Sequence, residues 1–282
     1  MRRRDFVVAS ATAASVTPAA VAGCLGSGGG NGDNDGNRPD VTLSATKNRL
    51  ELPNDSFVLE ATNEGDEPFT TTPTSFVLRK RPSSGSVWLY PPWDVFSRDG
   101  PAGPVEPSDS ITEDVKVSND PDFGGGSSYE IGDIGPGEYV IDYAYKRDEY
   151  LAEDEVFDAP SVSFDVVGEP PELEPIGVRD VERTDGVVTV HTEWGEGGEA
   201  ILRRTETDGA PPLVVEQIVR IPLLRNLVYY ADEGVEQVTL RNLGGTVRQM
   251  EEQLDIMAHG TGFEYDGAFR YDGETYRFEA KR

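Results

Sequence analysis

The chain has 282 residues, of which 52 are acidic and 25 are basic, so its formal net charge is −27 and its pI lies near 4.3. A field of this sign repels nucleic acid and anionic lipid headgroups, which excludes both as expected partners. The single cysteine excludes a disulfide framework within the chain, and the 11 Phe, 11 Tyr and 3 Trp are too many aromatic residues for a disordered chain.

The balance of charges also indicates the solvent in which the protein works. Self-repulsion among so many carboxylates weakens a fold at low salt and is largely screened at molar salt. The basic residues are 20 Arg and only five Lys. We interpret the chain as halophilic, and the alternative is an ordinary acidic secreted protein.

The first residues are typical of an export signal. Arg3 and Arg4, followed one residue later by Phe6, match the twin-arginine pattern. The run from residue 6 to residue 23 is rich in Ala, Val, Ser and Thr and contains no Leu or Ile. It is too weakly apolar for a membrane span but suits a signal peptide.

The export signal ends at the only cysteine of the chain. Val21, Ala22 and Gly23 precede Cys24, and together they match a lipobox, in which small residues admit a peptidase and the cysteine sulfur takes a lipid. The sequence therefore predicts a signal peptide over residues 1–23, cut before Cys24. Residues 24–40, rich in Gly, Asn and Asp, predict a flexible tether between the lipid and the folded body.

In their order and spacing, these motifs resemble those of the twin-arginine-exported lipoproteins of halophilic archaea. The resemblance covers about the first 24 residues. It implies a chain held on the outer face of a cell membrane by lipid at Cys24, and it implies no activity. We expect no cofactor and no metal.

Residues 41–167 carry short alternating segments separated by Gly, Pro, Asn and Asp. The predicted strands are Val41–Leu52, Phe57–Asn63, Ser75–Arg81, Ser86–Tyr90, Ser110–Val117, Glu138–Tyr145 and Ser161–Val167. About seven short strands in roughly 125 residues are typical of an immunoglobulin-like β-sandwich. The first domain is therefore predicted to be mainly β.

Residues 168–175 contain three prolines and predict a stiff linker, after which the periodicity changes. Over residues 176–282 we expect a small α+β domain with helices on one sheet face. Its predicted elements are a hairpin of Gly186–Trp194 with Glu199–Glu206, a helical segment over Leu213–Ala231 that Pro222 divides, an amphipathic helix over Thr246–His259, and a hairpin turning at Asp272-Gly273.

Candidate chemistry is sparse. The two histidines, His191 and His259, lie in no metal-binding pattern, and each is better interpreted as a surface or packing residue. The acidic runs 148–155 and 119–122 contain oxygen ligands suited to calcium, but in so acidic a chain they are better interpreted as solvated loops.

Two features remain as candidate binding or modification sites. Trp88, Tyr90 and Trp93 form the densest aromatic cluster, which serves either a core or a surface that binds a protein or a glycan. Asn54 begins an Asn-Asp-Ser triplet, a glycosylation acceptor in an exported chain or a chance occurrence.

The function predicted from these features is that of a lipid-anchored, extracytoplasmic binding or envelope module without catalytic activity. The alternative is an extracytoplasmic hydrolase with a carboxylate or histidine site. A third hypothesis is a proteinase-binding module that presents a rigid loop. Whether the protein is an enzyme stays open, with the balance against it.

Overall fold

The computed structural model describes residues 40–70, 76–81, 103–119, 129–143, 160–231, 235–244 and 267–281. Within these ranges the chain is mostly β with few helices, as the sequence predicts at that coarser level. Residues 38–282 form one compact unit.

The first ten described strands form two four-stranded sheets and one short pair. The first sheet has the order β1 (Val41–Ala45), β3 (Asn54–Asn63), β7 (Ser110–Ser118), β8 (Tyr129–Gly132). The second has the order β2 (Arg49–Glu51), β10 (Ser161–Val167), β9 (Gly137–Tyr143), β5 (Phe76–Arg81). The short strands β4 (Phe69–Thr70) and β6 (Pro104–Val105) pair with each other.

Alternation along these strands places one set of side chains between the two four-stranded sheets. Phe57, Leu59 and Ala61 of β3 are buried, and they share one apolar cluster with Tyr139 and Ile141 of β9. Because successive side chains of a strand point to opposite faces, this period of two accounts for the first core.

One strand expected over Val41–Leu52 is instead two strands in different sheets. β1 pairs antiparallel with β3, whereas β2 pairs parallel with β10. Between them the chain changes sheets, and the Thr46 amide and hydroxyl bond to the backbone of Val58. The expected strand Ser86–Tyr90 lies outside the described residues.

The remaining strands form one six-stranded sheet with the order β11, β12, β14, β13, β16, β15. Their bounds are β11 (Val178–Thr184), β12 (Val187–Gly195), β13 (Glu199–Arg204), β14 (Gln237–Leu243), β15 (Ala268–Tyr271) and β16 (Glu274–Lys281). The expected hairpin of Gly186–Trp194 with Glu199–Glu206 is wrong, because β14 lies between β12 and β13, parallel to the first and antiparallel to the second. β12 forms its hairpin with β11 instead.

Two described helices pack on one face of this sheet. α1 (Val215–Arg220) and α2 (Pro222–Ala231) meet at Ile221, so the predicted division at Pro222 is confirmed. Proline suits the first helical position, where its missing N–H has no intrahelical partner. Ile218 and Leu227 join Val190 and Leu240 in a second apolar core. The expected helix Thr246–His259 lies outside the described residues.

Candidate functional site

Most of the site residues expected from the sequence lie outside the described residues. These are Arg3, Arg4, Phe6, Val21, Ala22, Gly23, Cys24, Trp88, Tyr90, Trp93, His259 and the acidic run 148–155. Asn54 and His191 are described, and the structure does not bring them together: Asn54 begins β3 of the first sheet, and His191 lies on β12 of the six-stranded sheet.

His191 lies on a partly buried position of β12. Its Nε2 is 3.4 Å from Glu182 Oε1 of the neighbouring strand, and its side chain is 19% exposed. Asp180 and Arg241 occupy the adjacent register positions on β11 and β14. His191 therefore lies among side chains of both charges, and its role as a surface or packing residue stays a prediction.

The most unusual polar group is Glu216, the second residue of α1, whose side chain is fully buried. Its Oε1 atom accepts three hydrogen bonds, from Lys80 Nζ at 2.5 Å, the Gly135 amide at 2.6 Å and the Tyr139 hydroxyl at 2.6 Å. We call Lys80, Gly135, Tyr139 and Glu216 the junction cluster. Lys80 and Tyr139 belong to the second four-stranded sheet and Gly135 precedes its strand β9, whereas Ile218 of α1 joins the core of the six-stranded sheet.

Strand pairing positions the donors of the junction cluster. Lys80 on β5 and Tyr139 on β9 are direct partners in the register, and the Lys80 ammonium lies 5.1 Å from the centre of the Tyr139 ring. The Tyr139 hydroxyl oxygen also lies 2.6 Å from the Gly135 carbonyl oxygen, so its single hydrogen is shared between that carbonyl and Glu216 Oε1. A side chain on Gly135 would place its Cβ 2.9 Å from Glu216 Oε1, so the close approach of α1 requires glycine there.

Burial dominates the electrostatics of this cluster. It lowers the pKa of Lys80, and the charge of Glu216 opposes that effect only in part. Burial, followed by the negative charge of Glu216 and the hydrogen bond to it, raises the pKa of Tyr139 well above its ordinary value. Tyr139 is therefore a neutral donor throughout the physiological pH range.

A second contact of α1 lies one helical turn further along. The Arg220 guanidinium donates to the Gly132 carbonyl at 2.9 Å, and its Nε is 3.6 Å from Asp133 Oδ2. Residues four apart share one face of a helix. Glu216 and Arg220 therefore use one face of α1 for the first pair of sheets, while Ile218 packs in the second core.

A further buried ion pair lies within the second sheet. Arg79 binds Asp142 through two parallel contacts, Nε to Oδ2 at 2.5 Å and Nη2 to Oδ1 at 2.6 Å. Such a bidentate pair is stronger and more directional than a single contact. It joins β5 to β9 on the face opposite Tyr139, next to the strand position that carries Lys80.

The chemistry of the junction cluster is structural. A carboxylate that acts on a substrate must reach it, whereas Glu216 is fully buried and its Oε1 accepts three protein donors. Within the described ranges, no group of three or more His, Cys, Asp or Glu side chains is placed to bind a metal ion. Also within those ranges, no helix is both long and apolar enough to cross a bilayer.

Sequence reasoning missed the junction cluster, although one signal of it was available. On β5 the alternation that buries Phe76 and Leu78 carries Lys80 to the same inward face. A lysine at an inward strand position indicates a buried partner of opposite charge. Nothing in the sequence indicated that the partner would be Glu216, more than a hundred residues away.

No family model matches the chain, and no curated protein matches it. Among solved structures, it is similar to β-glucosidase from Listeria innocua in complex with glucose, with a TM-score of 0.25 and 8% identity over 47% of this chain. The same enzyme in complex with gluconolactone gives a TM-score of 0.26 and 10% identity, also over 47% of this chain. The matched region spans 16% of each of those chains.

Proposed function

We propose that this protein is a lipoprotein, exported through the twin-arginine route and anchored by lipid on Cys24 to the outer face of a cell membrane, where it acts as a binding or envelope module without catalytic activity. The observation that carries the proposal is the order of Arg3-Arg4, Phe6, the mildly apolar run and the Val21–Cys24 lipobox. The expected partners are membrane lipid through Cys24 and a protein or glycan of the cell surface.

The folded body is proposed to be an immunoglobulin-like sandwich over residues 41–167, a linker over 168–175 and an α+β domain over 176–282. In support, the buried residues of the first core all come from 41–166, and those of the second core from 188–278. The junction cluster joins the two through buried charge. A body joined in this way presents its surfaces in one fixed arrangement, which suits a binding or envelope module.

The anchor is tested with the full chain expressed with its signal in a halophilic archaeon. We expect the wild-type chain to stay with membranes washed in molar salt, and its first residue to be Cys24. Cys24→Ser should release the chain from the membrane or leave its signal uncut, because the sulfur that takes the lipid is absent. Replacing Arg3 and Arg4 together by Lys should retain the chain inside the cell.

The matched control is Ser27→Ala, a substitution in the tether that removes no motif residue and should leave membrane retention unchanged. Equal retention of wild type and of a Cys24→Ser chain whose signal has been cut would contradict the proposal, and so would a mature wild-type chain that begins at Met1.

The binding role is tested by cross-linking on intact cells at native salt, followed by mass spectrometry. We expect the wild-type chain to capture the same surface neighbour in repeated experiments, and Cys24→Ser to lose it. Turnover of a surface polymer by the purified wild-type protein would contradict a role without catalysis.

A further inference from the structure

We propose that Asn54 carries an N-linked glycan. Asn54, Asp55 and Ser56 form the only Asn-x-Ser/Thr triplet of the sequence, the pattern that N-glycosylation requires. The inference rests on the proposed export, because it requires that the triplet reach the compartment where glycans are attached.

The triplet lies at the start of β3, where its two essential side chains share one face. In a strand, residues two apart point to the same side. Asn54 and Ser56 are both exposed, while the alternate positions from Phe57 onward enter the core. The amide of Asn54 and the hydroxyl of Ser56 therefore face solvent together.

The hydrogen bonds of Asn54 leave its reactive atom accessible. Its side-chain oxygen accepts from the Ser118 hydroxyl on β7. No described residue accepts a hydrogen bond from its Nδ2, the atom to which the sugar is attached. The Asp55 carboxylate, by contrast, accepts hydrogen bonds from Lys47 Nζ at 2.5 Å and from the backbone amides of Glu51 and Ser56.

Among the described strands, β7 alone pairs with this part of β3. β7 pairs along the triplet, with Ser118 opposite Asn54 and Lys116 opposite Ser56. β1 pairs with β3 only from Leu59 onward. A modifying enzyme can therefore reach Asn54 and Ser56 from the outward face of β3, on which both residues are exposed.

Asn63 at the other end of the same strand provides an internal comparison. It is fully buried, and its Nδ2 donates to the carbonyls of Glu67 and Val105, each at 2.9 Å. Asn63 has a structural role in a turn, and no Ser or Thr follows it two residues later. The two asparagines of β3 thus differ in both the triplet and the access that glycosylation requires.

The covalent step needs a sugar carried on a lipid phosphate or diphosphate as co-reactant. Nδ2 of Asn54 attacks the anomeric carbon of that sugar, and an Nδ2–C1 bond forms. The C1–O bond to phosphate breaks, and its electron pair leaves with the lipid phosphate. One Nδ2 proton passes to a base of the glycosyltransferase, so no oxidant or reductant is needed.

The test is mass spectrometry of the full chain recovered from the membranes of its source cell. The tryptic peptide 50–79 contains both Asn54 and Asn63, and fragmentation assigns a modification to one of them. We expect wild type and Ser56→Thr to carry at least one sugar residue on Asn54, because both keep the triplet. Asn54→Gln and Ser56→Ala should show complete loss of that mass from the same peptide.

The outcomes separate this inference from the proposed function. A wild-type chain that begins at Cys24 but has an unmodified Asn54 would overturn the glycan alone, and sugar on Asn54 in Ser56→Ala would do the same. A chain that keeps Arg3-Arg4 and stays inside the cell would overturn the export, and the glycan with it.

Discussion

At the scale of single residues, Glu216 differs from most of the acidic residues that the structure describes, because its side chain is fully buried against Lys80 and Tyr139. Exposed pairs such as Arg203 with Glu279 are surrounded by water, which screens their attraction. A buried charge is not hydrated in this way, so removing its partner leaves an uncompensated charge that lowers the free energy of unfolding strongly. The few buried ion pairs therefore matter more to stability than the many surface charges.

We expect Glu216→Gln to lower the free energy of unfolding by about 3 kcal/mol, the typical cost of removing one partner of a buried ion pair. The amide keeps an acceptor for the Tyr139 hydroxyl, but it leaves the Lys80 ammonium without a negative partner. It also puts an NH2 group at the place of the buried Oε2, which has no hydrogen-bond partner among the described residues. Urea unfolding at molar salt measures the change.

The matched control for that substitution is Glu279→Gln, which removes the carboxylate of the half-exposed pair with Arg203. Its effect should stay within about 0.5 kcal/mol, since exposed pairs contribute little. If the two variants lowered the free energy of unfolding equally, burial would not set the strength of the Glu216 contacts.

Tyr139→Phe should lower stability by about 1–2 kcal/mol at neutral pH, because it removes a hydroxyl bonded to Gly135 and Glu216. The pKa of Tyr139 is raised well above 10.0, so above that pH the unfolded chain loses a proton that the folded chain keeps. Stability contributed by this group is complete below pH 10 and falls as the pH rises further. The wild-type advantage over Tyr139→Phe should therefore shrink in alkali.

The lowered pKa of Lys80 acts in the opposite direction, because just below pH 10.5 the unfolded chain binds more protons than the folded chain. Lys80 is present in wild type and in Tyr139→Phe, so the difference between their unfolding curves isolates the tyrosine. A difference in the free energy of unfolding between wild type and Tyr139→Phe that stayed constant across the alkaline range would contradict the raised pKa of Tyr139. Tyr229→Phe, on an exposed residue, serves as the control for loss of a phenol.

At the scale of elements, the local turns were predictable and the strand neighbours were not. The hairpin of β15 and β16 turns at Asp272-Gly273, and both residues have positive φ, 47° and 82°. Two-residue hairpin turns need that conformation, so the Asp-Gly pair alone predicts it. The strands β12 and β13 follow each other in sequence, yet β14 lies between them.

Gly273→Ala should lower the free energy of unfolding by about 1 kcal/mol, because a side chain at positive φ is strained. A Cβ at Gly273 meets nothing within 4 Å, so the backbone conformation alone causes the loss. Gly103→Ala is the control, since its Cβ also meets nothing within 4 Å and its φ is not in the left-handed range. Urea unfolding should find Gly103→Ala neutral or slightly stabilising.

At the scale of the whole molecule, the net charge of −27 opposes the compact state. The Debye length falls from about 30 Å at 0.01 M salt to about 3 Å at 1 M, so molar salt removes most of the repulsion between surface carboxylates.

We expect the free energy of unfolding in urea to rise steadily as KCl is increased from 0.01 M to the molar range, because screening relieves that repulsion. Glu106→Lys combined with Asp114→Lys, two exposed positions on and beside β7, should reduce the salt dependence. A stability that does not change with KCl, or an equal dependence in the double variant, would contradict the role of surface charge.

The sequence by itself determined the features that depend on a few neighbouring residues. Alternation predicted β3, β7 and β10, Pro222 predicted the division between α1 and α2, and Asp272-Gly273 predicted its turn. In each case the cause is local, because strand period, a missing N–H and positive φ act within a few residues.

Only the tertiary structure decided which strands are neighbours and which buried charges meet. The placement of β14 between β12 and β13 depends on how one sheet face and two helices fill one core, and spacing along the chain does not encode that packing. The contact of Lys80 with Glu216 joins residues 136 positions apart. A charged residue at a core position of the sequence predicts that a partner of opposite charge exists. The identity of that partner depends on the fold, because only a group that packing brings within hydrogen-bond distance offsets the desolvation cost of the buried charge.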